Sequence, residues 1–173
     1  MPVLLACTLV AAATEYALVD GPAARKILEE LPAILDSNYA YYRVCDLPQM
    51  MRTAHLVSPL ELAERLTAWI EPILPTQRCA CTYGDALLAE AHGEHEAAAA
   101  GFAASAAGWR SFGVPYEEGQ SLLAQGRCLL ALGRGPESMT PLAAAREIFA
   151  GLGAKPALAE TQSLLSAISC DAG

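Results

Sequence analysis

The side chains able to carry chemistry are few, and they are thinly grouped. His92-Gly93-Glu94-His95 is the densest cluster, and its imidazoles and carboxylate are the ligand types that zinc takes. A metal-binding helix of the H-E-x-x-H kind would stack both imidazoles on one face; here the glycine places the cluster in a turn. Cys79-Ala80-Cys81 sets two thiols on different sides of a helix, with no second Cys or His pair at zinc spacing. No Glu-x-x-His pair supports a di-iron bundle. No G-x-x-x-x-G-K-[ST] loop is present to cradle phosphate, since Gly151-Leu152-Gly153-Ala154-Lys155 runs into Pro156 as a helix exit. G-x-S-x-G is absent, and His55 has no sequence-evident nucleophile beside it. These residues point away from an enzyme and imply neither cofactor nor metal.

Composition sets the class of protein that must position whatever the chain does use. At 173 residues, with 54% apolar and 17% charged side chains, the chain can bury a core and is not disordered. Alanine supplies much of the apolar count, so a mean hydropathy of +0.29 does not indicate membrane spans. A net charge of −8 argues against direct binding to nucleic acid or to an anionic membrane. The six cysteines (Cys7, Cys45, Cys79, Cys81, Cys128 and Cys170) are scattered, unlike a secreted disulfide framework. They read as reduced, small apolar groups, which points to a cytoplasmic location. The apolar run from Pro2 to Ala13 lacks the preceding Lys or Arg of a secretory signal, and Glu15 and Asp20 interrupt it too early for a bilayer span. It reads as a buried first helix.

The elements are punctuated by glycine. Gly93, Gly113, Gly133 and Gly153 fall at a constant interval of twenty residues, each closing an Ala- and Leu-rich segment. Glycine reaches the left-handed conformation that ends a helix, so the interval predicts one helix of roughly 30 Å per glycine. Two such helices give a 40-residue period, within the range of helical solenoids. Around Gly133 the small residues Gly126, Ser138 and Ala145 alternate with Leu122, Leu129 and Leu142. One period earlier, Ala86, Ala89, Ala98, Phe102 and Ser105 take corresponding positions. Large residues set into gaps left by small ones would let antiparallel helices interlock closely.

Coarse boundaries follow. Helices are expected at about 3–19, 22–36, 39–56 and 59–74, then in a regular array at 76–92, 95–112, 115–132, 137–152 and 156–169. Pro32 and Pro48 predict kinks or early ends, and Pro136 or Pro141 could each open the eighth helix. Residues 1–75 read as degenerate N-terminal hairpins and 76–173 as the regular repeats with a last helix capping the stack. No segment alternates as a strand does.

The offsets around Gly133, together with Tyr116-Glu117-Glu118-Gly119-Gln120-Ser121-Leu122-Leu123, Gly126-Arg127-Cys128-Leu129-Leu130-Ala131-Leu132-Gly133, Ala145-Arg146-Glu147-Ile148-Phe149 and Leu152-Gly153-Ala154-Lys155-Pro156, resemble the tetratricopeptide-like repeats of large bacterial regulators. Those regulators join a P-loop ATPase to the array, with a LuxR-type DNA-binding or a cyclase domain elsewhere. The resemblance covers about 83–169, and the 40-residue period is longer than the usual 34. It implies an all-α, right-handed solenoid of helical hairpins with about nine helices. The implied role is a non-catalytic protein–protein interaction or regulatory module, standing alone or within a bacterial signalling or transcription regulator. Neither the ATPase loop nor a basic recognition helix is present in this sequence, so those activities do not carry over.

In tetratricopeptide-like pairs the first helix of each hairpin lines the concave side. The resemblance therefore places Gln120, Leu123, Arg127 and Leu130 on that face, with Ala80, Tyr83, Leu87 and Glu90 one period earlier and Glu160 and Ser163 one period later. Tyr83 and Leu123 would offer apolar contacts. Arg127 would either take a partner's carboxylate or pair with Glu90 and Glu160 on a solvated face. The first helix, carrying Leu4, Leu5, Leu9 and Val10 with almost no charge, is a second expected contact, for self-association. An alternative function is small-molecule sensing between the N-terminal helices, where Tyr39, Tyr41, Tyr42, Met50, Met51 and Trp69 would line an apolar pocket, although such residues at helical spacing also make ordinary core.

Overall fold

The computed structural model describes the backbone of residues 2–34, 40–57, 64, 72 and 74–171, with side chains at 8–30, 47–57, 64, 72 and 74–168. Among the described residues there are eight α-helices and no strand. They are α1 (Pro2–Ala17), α2 (Gly21–Ile34), α3 (Ala40–Val57), α4 (Pro75–Ala91), α5 (His95–Phe112), α6 (Pro115–Ala131), α7 (Gly135–Leu152) and α8 (Lys155–Asp171). The helix expected at 59–74 lies outside the described residues. Two compact units divide the chain, Met1–His92 and Gly93–Gly173.

In the first unit α1 packs on α2 and α3, α2 on α3, and α3 on α4. Val10, Ala13, Ala24, Leu28, Leu47, Met50, Met51 and Ala54 are buried at these contacts. Val10 therefore belongs to the core, whereas Thr8, Ala11 and Glu15 are exposed. Pro48 sits inside α3 without ending it. At the start of α4, Pro75 takes a position where its missing N–H costs nothing, and the Leu74 N–H donates to Gln77 Oε1 at 2.9 Å.

The second unit is built from turns of one repeated design. Gly113, Gly133 and Gly153 adopt φ of 67°, 72° and 67°. After each, the next residue's N–H reaches back to a carbonyl of the last helical turn: Val114 to Trp109 at 3.1 Å, Arg134 to Leu129 at 2.9 Å and Ala154 to Phe149 at 3.0 Å. That bond satisfies carbonyls the helix end would otherwise orphan, and it reverses the chain within about two residues. Gly93 shares the left-handed conformation, with φ of 80°.

Each helix of this unit packs on the next in sequence, and α6 also touches α8. Gly126 faces Leu142 while Gly119 faces Phe149, so one number falls by seven as the other rises by seven. The pairing is antiparallel. A Cβ at Gly126 would overlap the Leu142 isopropyl group, and one at Gly119 would lie 2.8 Å from the Phe149 ring. Leu142, Ala145 and Phe149 are wholly buried, in a core with Ala106, Leu122, Leu123 and Ala157. Small polar groups permit a similar approach between α5 and α6, where buried Ser121 donates to Ser105 Oγ at 3.2 Å. Ser138 is buried as expected, and α7 begins at Gly135 with Pro141 inside it.

One ion network links helices two apart. Arg134, in the turn before α7, donates from Nη1 to Glu96 of α5 at 2.9 Å and also bonds Glu137. That guanidinium holds the Glu137 carboxyl below its ordinary range.

Two substitutions separate packing from propensity. Gly126→Ala gains helix propensity of about 1 kcal/mol but must displace fully buried Leu142, an overpacking cost of about 1–3 kcal/mol, so net destabilisation is expected. Gly151→Ala meets no atom within 4 Å and should instead stabilise by up to about 1 kcal/mol. Urea unfolding checks both, and a stabilising Gly126→Ala would contradict the packing.

Candidate functional site

The residues expected to face a partner separate into a buried apolar half and an accessible polar half. In the first unit Tyr83 is 2% exposed and Leu87 3%, so neither presents surface in this conformation. The reason is visible in what covers Tyr83: the Arg52 guanidinium lies 5.4 Å from its ring centroid, within cation–π reach. Arg52 in turn donates from Nη2 to Gln49 Oε1 at 2.8 Å, and Gln49 Nε2 donates to Thr14 Oγ1 at 2.9 Å. Thr14 Oγ1 also lies 3.0 Å from buried Thr53 Oγ1. This polar chain ties α1 to α3 and braces α4. Glu90 is half-buried and has interactions of its own.

In the second unit Leu123, also 2% exposed, belongs to the core cluster. Gln120 is half-buried and donates from Nε2 to the Tyr116 hydroxyl at 3.1 Å. Arg127 Nη1 lies 3.5 Å from Glu160 Oε1, with side chains 35% and 53% exposed. This is the solvated-pair arrangement, and it joins α6 to α8. Half-exposed pairs of this kind contribute only up to about 1 kcal/mol, so Arg127 remains able to exchange partners. Gln120, Arg127 and Glu160 thus form one accessible polar face of this unit, and Leu123 lies beneath it.

The sequence reading missed Arg146. It is exposed on α7, makes neither hydrogen bond nor ion pair with its side chain among the described residues, and lines an open groove of ≈ 440 Å³ with Gln162, Leu165 and Ser166 of α8. The available signal was the lack of an acidic residue three or four places away on its own helix, where Leu142, Ala143, Phe149 and Ala150 stand. A second open groove, of ≈ 580 Å³ and lined by Thr8, Val10, Ala11, Ala12, Thr14, Glu15 and Gln49, lies over α1 and α3. Met50 and Met51, expected as pocket lining, are 2% and 0% exposed and pack in the core. The side chains of Tyr39, Tyr41, Tyr42 and Trp69 lie outside the described residues.

The clusters that might have held a metal are dispersed. His92 Nδ1 lies 2.8 Å from the Leu88 carbonyl and Nε2 3.7 Å from Glu64 Oε1. His95 Nδ1 and Trp109 Nε1 are buried without hydrogen bonds, but fourteen residues of helix put them ~21 Å apart along α5. Burial pushes the Cys79 and Cys81 thiols up, and Asp85 adds to the effect at Cys81. Protonated thiols are weak nucleophiles and weak ligands. Among the described residues no three His, Cys, Asp or Glu gather as a metal site, and no helix is long and apolar enough to cross a membrane.

Tyr83 and Arg127 should respond to truncation in opposite ways. Tyr83→Ala empties a buried aromatic site and should cost about 3–5 kcal/mol in urea unfolding, whereas Arg127→Ala should cost less than about 1 kcal/mol. A neutral Tyr83→Ala would show that its ring is not core.

Set against other proteins, the chain matches no family model, no curated protein and no solved structure.

Proposed function

We propose that this chain is a non-catalytic, tetratricopeptide-like helical-repeat protein that acts by binding a protein or peptide. The observation carrying this reading is the pair of contacts between helices two apart in the second unit. Glu96 of α5 meets Arg134 at the start of α7, and Arg127 of α6 meets Glu160 of α8. Contacts of this kind support helical hairpins stacked in layers, the arrangement of a solenoid. The twenty-residue glycine interval, with its shared turn geometry, supports a 40-residue repeat.

A stack of this kind works by rigidity. Side chains on helices cannot rearrange freely once Gly126, Gly119 and Ser121 have brought the axes close, so a partner meets a preformed surface and loses less entropy on binding. Gln120, Arg127 and Glu160 are the residues through which the second unit would be read. They offer an amide, a guanidinium and a carboxylate. A partner that inserts a carboxylate competes with Glu160 for Arg127, and one that brings a cation takes Glu160. The weakness of the existing pair is what makes such exchange cheap.

Site-specific photo-crosslinking tests this. A benzophenone amino acid at Gln120 should give a discrete adduct in a lysate of the native host, competed by unlabelled chain and absent when the probe replaces exposed Arg25. Adducts of equal yield from both positions, or none from Gln120, would contradict the assignment.

A further inference from the structure

We infer that the groove between α7 and α8 is an anchoring site for the carboxylate of a peptide, with Arg146 as its charged group. This deepens the binding role proposed above, and rests on it only in that a protein partner would carry the carboxylate. Arg25, Arg110, Arg127 and Arg134 each have a carboxylate within ion-pair distance, and Arg52 is held by Gln49 and the Tyr83 ring. Among the described residues exposed Arg78 has no such partner, and neither has Arg146, although acidic residues outnumber basic ones by 19 to 11. The cause lies in the sequence around it. Its own face of α7 holds only Leu142, Ala143, Phe149 and Ala150, and the facing turn of α8, Gln162 to Ser166, carries no charge. Glu160, the nearest acid in sequence on α8, is engaged with Arg127.

The other groups in the groove define what fits beside the guanidinium. Arginine presents two parallel N–H groups that match the two oxygens of a carboxylate. The Gln162 side-chain amide adds a neutral donor on the same groove. Ser166 Oγ already donates its hydrogen to the Gln162 backbone carbonyl at 2.9 Å, so its lone pairs are left to accept. A ligand that combines a carboxylate with a nearby N–H satisfies all three, and a peptide chain does so. Leu165 supplies an apolar wall for the aliphatic part, since its inner side packs on the core. Charge decides against phosphate. One guanidinium neutralises a monoanion, whereas a phosphate dianion would leave excess negative charge against a chain of net charge −8.

The test is a nuclear magnetic resonance titration of the full chain with three N-acetylated alanine tetrapeptides. One has a free C-terminus, one is amidated, and one is amidated with a glutamate in place of the third alanine. The free-acid or the glutamate peptide should give saturable shifts at the Gln162 side-chain amide and the Arg146 Nε resonance, with Kd on the order of 1–10 mM. Which of the two binds identifies an α-carboxylate or a side-chain carboxylate as the anchor. Arg146→Gln should weaken binding at least about tenfold with an unchanged circular dichroism melt, and Arg146→Lys should fall between because lysine lacks the bidentate fork. Equal shifts from the neutral amidated peptide, no saturable shift from either acid, or an unaltered titration in Arg146→Gln would overturn the assignment. So would tighter binding of inorganic phosphate. No partner is needed for this reading, so its failure leaves the photo-crosslinking result standing, and the reverse holds.

Discussion

The close approach of α6 to α7 is the constraint on which the second unit depends. Two glycines one helical heptad apart, Gly119 and Gly126, remove the side chains that would keep the axes apart, and Phe149 and Leu142 occupy the space. Because the pairing is antiparallel, both contacts are made only in one register. Shifting either helix by a single residue would set a larger side chain where Gly119 or Gly126 now leaves room for Phe149 and Leu142. Dispersion and apolar burial then act over short distances and add up across the interface. The glycine turns and the Arg134 network fix the ends of helices whose middle is fixed by this contact.

Much of this was legible beforehand, for a physical reason. A helix end needs a left-handed residue and a close helix contact needs a small one, so both leave their mark in residue type. Gly113, Gly133, Gly153, Gly126, Ser138 and Ala145 were readable on that ground, and the structure places them as turns and as buried small residues. Gly119 carries the same signal, but only the resemblance singles it out. What the sequence did not reveal was which apolar residues of α6 face outward. Leu123 stands at a register position that a two-sided helix would expose, but α6 has neighbours on both sides and buries Ser121, Leu122, Leu123 and Ala124 in succession. Tyr83 was hidden for a different reason. Its burial depends on Arg52, thirty-one positions earlier, and no local spacing reports that contact.

The electrostatics follow the same division. Pairs close in sequence, such as Arg25 with Glu29, follow from helical spacing, but Arg127 with Glu160 and Arg134 with Glu96 are set by which helices come two apart in space. Arg146 is conspicuous only when those pairings are known. A cation left over in an acidic chain, on a groove with neutral polar groups, has more free energy to gain from an incoming anion than one already satisfied. Buried Tyr83 and Leu123 offer no such gain.

The central claim, that the second unit is a stack of 40-residue repeats in which each layer contacts only its neighbours, is tested most directly by repeat insertion. A second copy of residues 115–154 placed after Ala154 repeats the sequence at a point where the chain re-enters the same turn geometry. A one-dimensional stack predicts a folded protein with one more hairpin of helix by circular dichroism and an unfolding midpoint no lower than that of the parent. An inserted protein that loses cooperative unfolding, or whose added segment stays non-helical, would show a closed bundle and contradict the account.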